Sequence, residues 1–203
     1  MKKENHLKKV LVTGASGYIA SHCIKLLLEK GLKVKGSVRD LKKVDILKKY
    51  LDNSLNKDNL EFCELNLLND NGWNKALKDC DYLMHIASPC TLKEPKKESE
   101  IVQPAVEGTL RALNAAKKSR VKKVVLTSSI GAMVYGNKKK ICESTDWTDI
   151  SKNVGSYIKS KTLAEKAAWN YFNNLSNPTF SFTSINPGMV FGPVINGDLG
   201  GVS

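Results

Sequence analysis

A short β-rich run, Lys9-Val10-Leu11-Val12-Thr13, breaks into Gly14-Ala15-Ser16-Gly17-Tyr18-Ile19-Ala20, and no other feature narrows the fold of this chain as far. From Gly17 onward apolar residues return at helical intervals, at Ile19, Cys23, Ile24, Leu27 and Leu28, until Gly31 stops the helix. Lys33 to Val38 then reads as a second strand that ends at Arg39-Asp40. Strand, glycine turn, helix and strand within about thirty residues is the setting of a dinucleotide fingerprint. The glycines let the backbone turn tightly and approach a pyrophosphate, and the helix start offers free N–H groups and a positive dipole end. The spacing is Gly-x-x-Gly-x-x-Ala rather than three glycines. The two flanking strands are what give it weight.

The end of the second strand bears on which dinucleotide fits. An acid there would hydrogen-bond the ribose hydroxyls of NAD and repel a 2′-phosphate. Arg39 stands 22 residues after Gly17, where a guanidinium can clamp that phosphate bidentately. Asp40 follows directly, and strand alternation sends the two side chains to opposite sides. Arg39 and NADP are the expectation; a surface arginine paired with its neighbour is the bland alternative.

Strands and helices keep alternating. Leu41 to Leu55 reads as helix, Leu60 to Leu65 as strand, Asn71 to Lys78 as helix and Tyr82 to Ile86 as strand. A lysine-rich loop leads to a long helix from Pro104 to Ser119, then a strand from Lys122 to Thr127. Ser156 to Phe172 is helical, and Thr179 to Ile185 is the sixth strand. This alternation predicts an α/β fold with a doubly wound parallel sheet, whose ligands bind at the carboxyl ends of the strands. Gly14, Arg39, Asn66, Ser88, Ser129 and Pro187 all fall at such ends. That convergence predicts one site.

Tyr157 and Lys161 lie one turn apart on one face of the helix that begins at Ser156. A phenol ordinarily ionises near pH 10. An ammonium about 4 Å away, at an effective dielectric of about 20, favours the phenolate by roughly 4 kcal/mol before desolvation. The pair is therefore suited to exchange a proton with a substrate oxygen. Taken alone it is more often a packed ring beside a solvated amine.

Composition removes other classes. The 203 residues suffice for one domain, 1–203, and their 41% hydrophobic and 26% charged content is that of a soluble globular chain. The net charge of +12 comes from scattered lysines, with no basic stripe interleaved with aromatics, so nucleic acid is not the expected partner. Five dispersed cysteines, Cys23, Cys63, Cys80, Cys90 and Cys142, show no metal-ligand spacing and read as reduced thiols of a cytoplasmic protein. Met1 to Lys9 has no apolar core of a secretory signal, and no apolar run approaches the ~18 residues that span a membrane.

The motifs TGASGYIA, SVRD, HIASP, TSSIGA, YIKSK and NPGMVFGP, in that order, resemble an extended short-chain dehydrogenase/reductase. Within that superfamily of epimerases and dehydratases, YIKSKTLAEKAAW with TSSIGA is most similar to the dihydroflavonol reductase and cinnamoyl-CoA reductase branch. The resemblance implies a catalytic set of Ser129, Tyr157 and Lys161, with Ser128 as the alternative serine. It places Gly14, Ser16, Gly17, Tyr18 and Ile19 on the diphosphate, and Arg39 and Lys43 on the 2′-phosphate. Asn66 and Leu67 would flank the adenine, although the family usually has aspartate where Asn66 stands. Ile86, Ala87 and Ser88 would line the ribose side together with Tyr157 and Lys161, and Pro187 to Val190 would approach the carboxamide. The implied reaction reduces a small-molecule carbonyl (an aldehyde, ketone or dihydroflavonol-like compound) with NADPH. Lys161 would lower the tyrosine pKa.

Two rivals share the scaffold: a nucleotide-sugar epimerase or dehydratase holding NAD, and a non-catalytic NADP-binding protein. Arg39 argues against the first, and the retained Tyr157 and Lys161 against the second. Family members continue well beyond Pro193 with a further strand and a substrate lobe. The expectation is a chain truncated in that lobe after about residue 193, with an open edge at the sixth strand and apolar surface facing water, or else covered in a homo-oligomer.

Overall fold

The structure, a computed structural model, describes residues 7–51, 57–91 and 93–195. Six strands form one parallel sheet: β1 (Lys9–Val12), β2 (Lys33–Val38), β3 (Leu60–Glu64), β4 (Tyr82–His85), β5 (Lys123–Thr127) and β6 (Ser181–Ile185). Their order across the sheet is β3-β2-β1-β4-β5-β6. The chain steps outward from β1 to β3, then returns to the other side of β1 to continue with β4. Strand order therefore reverses between β1 and β4, which opens a crevice above their carboxyl ends.

Alternation along β1 explains why both faces are covered. Val10 and Val12 point to one face and pack with Ile24 and Leu28 of α1 (Tyr18–Glu29) and Leu47 of α2 (Val44–Leu51). Leu11 points to the other, where it joins Leu83 and Val124 beneath three helices. These are α3 (Trp73–Leu77), α4 (Ser99–Ser119) and α5 (Ser156–Asn173). A strand buried on both sides carries the near-continuous apolar sequence that 9–13 shows.

Most expected elements are present with ends moved by a residue or two, and three differ more. The helix expected over 41–55 is a 3₁₀ turn, Leu41–Lys43, capped by the Asp40 carboxylate, followed by α2; residues 52–55 lie outside those described. The helix expected over 71–78 is the five-residue α3. The long helix expected from Pro104 begins instead at Ser99, with Pro104 inside it. A proline there forgoes one backbone bond to the carbonyl four residues back. Burial decides otherwise: Ile101, Pro104, Ala105, Gly108 and Ala112 recur three and four residues apart on the face that meets the sheet.

Among the described residues β6 pairs with β5 alone. The segment after it exposes Met189 (84%) and Phe191 (81%). Among the described residues no helix is long and apolar enough to cross a membrane.

Candidate active site

The β1–α1 turn is a backbone structure. Gly14 has φ +73°, a left-handed conformation, and a Cβ there would stand 3.2 Å from Cα and Cβ of Ala87. Glycine is needed for both reasons. The Gly17 N–H donates to the Gly14 carbonyl (2.8 Å), closing the turn, and α1 starts with no side-chain cap. Ser16, Tyr18 and Ile19 line this half-buried entry to α1. The segment after β6 returns over it: the Pro193 carbonyl meets His22 Nε2 at 2.9 Å, and Gly192 lies against the Tyr18 hydroxyl.

At the end of β2 the structure separates the two candidates for the ribose. The Asp40 carboxylate accepts the Lys42 N–H (2.9 Å) and is spent on the cap. Arg39 is exposed and, among the described residues, makes no side-chain hydrogen bond or ion pair. The Lys43 side chain lies outside those described. Past β3, Asn66 Oδ1 accepts the Leu68 N–H at 2.9 Å, a local turn that engages the group offered to the adenine. The Leu67 side chain packs onto Gly108 of α4, and only its backbone edges the crevice.

Beyond β4, Thr13 organises the ribose side. Its hydroxyl oxygen accepts from the N–H groups of Ile86 and Ala87, both at 3.0 Å. With both lone pairs engaged, its one proton goes to His85 Nδ1, also at 3.0 Å. His85 is therefore the Nε2–H tautomer, and burial lowers its pKa to about 3. Ser88 follows, half-buried beside Thr127, Lys161 and Glu165 around a small cleft.

β5 ends in the serine pair, and here the two registers separate. Ser128 Oγ donates to the buried Glu165 Oε2 at 2.5 Å. Ser129 instead caps the 3₁₀ turn Ile130–Ala132, accepting the Gly131 N–H at 3.0 Å, and its side chain neighbours the Tyr157 phenol. Lys161, 6% exposed, donates to the Thr127 carbonyl at 3.2 Å. The Pro187 carbonyl accepts the Ile130 N–H (2.9 Å), which ties the start of 187–190 to the turn after β5, and Val190 is exposed. Ser129, Tyr157 and Lys161 are thus brought together.

The expected electrostatics need a correction. Burial pushes the Tyr157 phenol up, the nearby Cys90 thiol adds to this, and only the Ser129 side chain pulls it down. Lys161 is not among the groups that move it, because its amine is turned to the Thr127 carbonyl. Burial brings Lys161 itself down to about 8, opposed by the Cys90 and Glu165 charges.

Four polar residues stand inside the quoted motifs without a role assigned from the sequence: Thr13, His85, Glu165 and Asn186. The signal for Glu165 lies in α5, whose buried stripe Lys161, Ala164, Glu165, Ala168 holds two charged residues where apolar ones are the rule.

Comparison with known proteins agrees with this geometry. The model of the NAD dependent epimerase/dehydratase family matches residues 10–202. Cinnamoyl-CoA reductase CAD2 of Medicago truncatula is 40% identical over 206 residues, covering 96% of this chain and 61% of that protein. Dihydroflavonol 4-reductase of Arabidopsis thaliana is 37% identical over 197 residues, 92% of this chain and 50% of that protein. Among solved structures, Gre2 of Candida albicans in complex with NADPH superimposes with a TM-score of 0.82 at 34% identity, over 92% of this chain and 59% of that one. The chain spans half to three fifths of the length of these relatives.

Proposed function

The chain belongs to the NAD dependent epimerase/dehydratase family, and on that premise we propose that it is the nucleotide-binding part of an NADPH-dependent reductase of carbonyl compounds. One observation carries the reading: the Ser129 side chain neighbours the Tyr157 phenol and pulls its pKa down, one helical turn from the buried Lys161. The residues fit the cofactor. Gly14 and Ala87 leave a cradle that a Cβ would fill, and the uncapped start of α1 presents N–H groups to a diphosphate. Arg39, with no partner among the described residues, supplies the charge that a 2′-phosphate needs.

When bound, NADPH supplies the hydride. Burial keeps Tyr157 protonated at neutral pH, so it serves as the proton donor to the substrate oxygen. Ser129 directs a second hydroxyl at the same oxygen and holds it in place. Lys161 sets a positive charge near the pair and would be the residue to hold the nicotinamide ribose. Relatives named cinnamoyl-CoA reductase and dihydroflavonol 4-reductase favour an aldehyde, ketone or dihydroflavonol-like carbonyl as the substrate class.

The test is a titration of the purified chain with NADPH and NADH, read by quenching of its tryptophans, followed by NADPH oxidation with a panel of such carbonyls. NADPH is expected to bind more tightly than NADH. Equal affinities, or no binding of either, would sink the reading.

A further inference from the structure

One buried and well-connected polar group among the described residues is not used by the proposed chemistry. Glu165 is 5% exposed and lies one turn beyond Lys161 on α5. Its Oε2 accepts from two donors, Ser128 Oγ at 2.5 Å and Asn186 Nδ2 at 2.7 Å, and its Oε1 receives Trp169 Nε1 at 3.4 Å. Asn186 Nδ2 also donates to the Ser129 carbonyl at 3.1 Å, and Ser184 Oγ reaches Asn186 Oδ1 at 3.4 Å. Around this knot the ends of β5 and β6 are stitched by backbone bonds from Ser128 to Ile185 (2.8 Å) and from Ile130 to Pro187 (2.9 Å). One carboxylate therefore joins three elements just below the reacting groups.

We propose that Glu165 is the positioning residue of this site: through Ser128 and Asn186 it ties the ends of β5 and β6 to the helix bearing Tyr157 and Lys161. It thereby fixes the Ser129 side chain beside Tyr157. The argument is one of geometry. The Ser129 hydroxyl is hydrogen-bonded to its own 3₁₀ turn, so its place follows from the backbone on either side of it. That backbone is held by Ser128 and Asn186, and both end on Glu165 Oε2. A buried carboxylate that accepts from several donors is expensive to misplace, because leaving any donor unsatisfied in a dry interior is costly. A glutamine in its place has one acceptor oxygen and must turn an N–H₂ towards either Trp169 or the Ser128–Asn186 pair, both of which are donors.

Electrostatics run the same way. The ionisable groups around the Lys161 amine are Tyr157 and Glu165 on its own helix, His85 on β4 and Cys90 on the loop after β4. His85 is neutral well above its low pKa and gives no counter-charge. Of the remaining groups, the Cys90 thiol and then the Glu165 carboxylate oppose the burial that lowers the Lys161 pKa.

The inference rests on Tyr157, Ser129 and Lys161 being the reacting set, but its test needs no turnover. Lysine ε-carbons are labelled with carbon-13 and Lys161 is followed by NMR through a pH titration, assigned with Lys161→Arg. Tyr157 is followed by its phenolate absorbance, assigned with Tyr157→Phe. In Glu165→Gln the Lys161 midpoint is expected to fall by about one unit, and the Tyr157 midpoint to rise as the Ser129 contact loosens. Ser128→Ala keeps the carboxylate and cuts one tie: Tyr157 should rise while Lys161 stays. Where the wild-type chain reduces a carbonyl, Glu165→Gln should lower kcat about tenfold or more with KM for NADPH within a few-fold. Unmoved midpoints for both groups in folded Glu165→Gln overturn the proposal and leave the proposed reaction standing. If that variant does not fold, an unmoved Tyr157 midpoint in both Ser128→Ala and Asn186→Ala overturns it. Shifted midpoints in a chain that neither binds NADPH nor reduces a carbonyl confirm the positioning and reject the reaction.

Discussion

The two sides of the crevice are built from different materials. On the β1–α1 side the site is backbone: a glycine at φ +73°, a turn closed by one N–H, and a helix start without a cap. On the β5–α5–β6 side it is side chains: buried Glu165 and Ser128 with half-buried Asn186 in one hydrogen-bonded group, and buried Lys161 held separately by the Thr127 carbonyl. The first side is vulnerable to added atoms. The second is vulnerable to lost ones. A backbone cradle can be assembled without burying charge, whereas the side-chain half holds an amine and a carboxylate in a place where neither is stable on its own. Site and stability are therefore aligned in one half and opposed in the other.

The sharpest separation is expected from Tyr157→Phe. It removes one oxygen from the side-chain half, and turnover should fall about 10²–10⁴-fold with NADPH affinity and thermal stability almost unchanged. Turnover that survives would return Tyr157 to a packing role and erase the contrast.

The pH axis probes β4, where the halves meet. The His85 pKa drops from 6.5 to about 3 on folding, so the unfolded chain takes up a proton that the folded one refuses. Stability from this group is complete above pH 6.5 and is lost as pH falls towards 3, by up to about 4 kcal/mol. Glu61 and Asp81, whose pKa values start at 4.5 and 3.8 and are lowered further by lysines, act only in more acid solution. Denaturant melts between pH 7 and 5 isolate the histidine. A flat profile there, or an unchanged one in His85→Gln, would contradict the tautomer assigned to it.

Arg39→Asp addresses the backbone half without touching its fold. NADPH affinity should drop about tenfold to a hundredfold while NADH affinity holds or improves. Equal losses for both cofactors would mean that the arginine does not meet the 2′-phosphate. Gly14→Ala, in contrast, should damage fold and binding together. A Cβ at a left-handed residue and 3.2 Å from Ala87 is expected to cost about 1–3 kcal/mol of stability and to weaken NADPH. Binding lost without stability would mean that Ala87 moves away freely.

The smallest effect has the opposite sign. Folding lowers the Lys161 pKa from 10.5 to about 8, so below pH 8 the protein carries the full penalty of a buried ammonium. Lys161→Met should stabilise the chain at pH 7 by about 1–2 kcal/mol, after the lost bond to Thr127 is offset. That gain should fade between pH 8 and 10.5 as the wild-type amine loses its proton. A destabilised Lys161→Met would show that the side-chain half is not under strain.

The fold was legible because its signals are local. Period, glycine punctuation and strand–helix alternation are properties of neighbouring residues, and from them the chain order of the elements, the parallel sheet and the convergence of Gly14, Arg39, Ser129 and Pro187 on one edge all follow. Where long-range burial outweighs a local rule, the reading shifts: α4 starts five residues before Pro104 because its apolar stripe is buried there.

By itself, then, the sequence determined the doubly wound sheet, the backbone cradle at Gly14 and the Tyr157–Lys161 face, since each is written in spacing along one element. Only the tertiary structure decided between Ser128 and Ser129, spent Asp40 on a cap, turned Leu67 onto Gly108 and aimed Lys161 at Thr127 rather than at Tyr157. Those outcomes depend on which groups compete for the same hydrogen-bond partner or the same space. Such competitors lie tens of residues apart in the chain, as Ser128 and Glu165 do, and meet only when the sheet has formed.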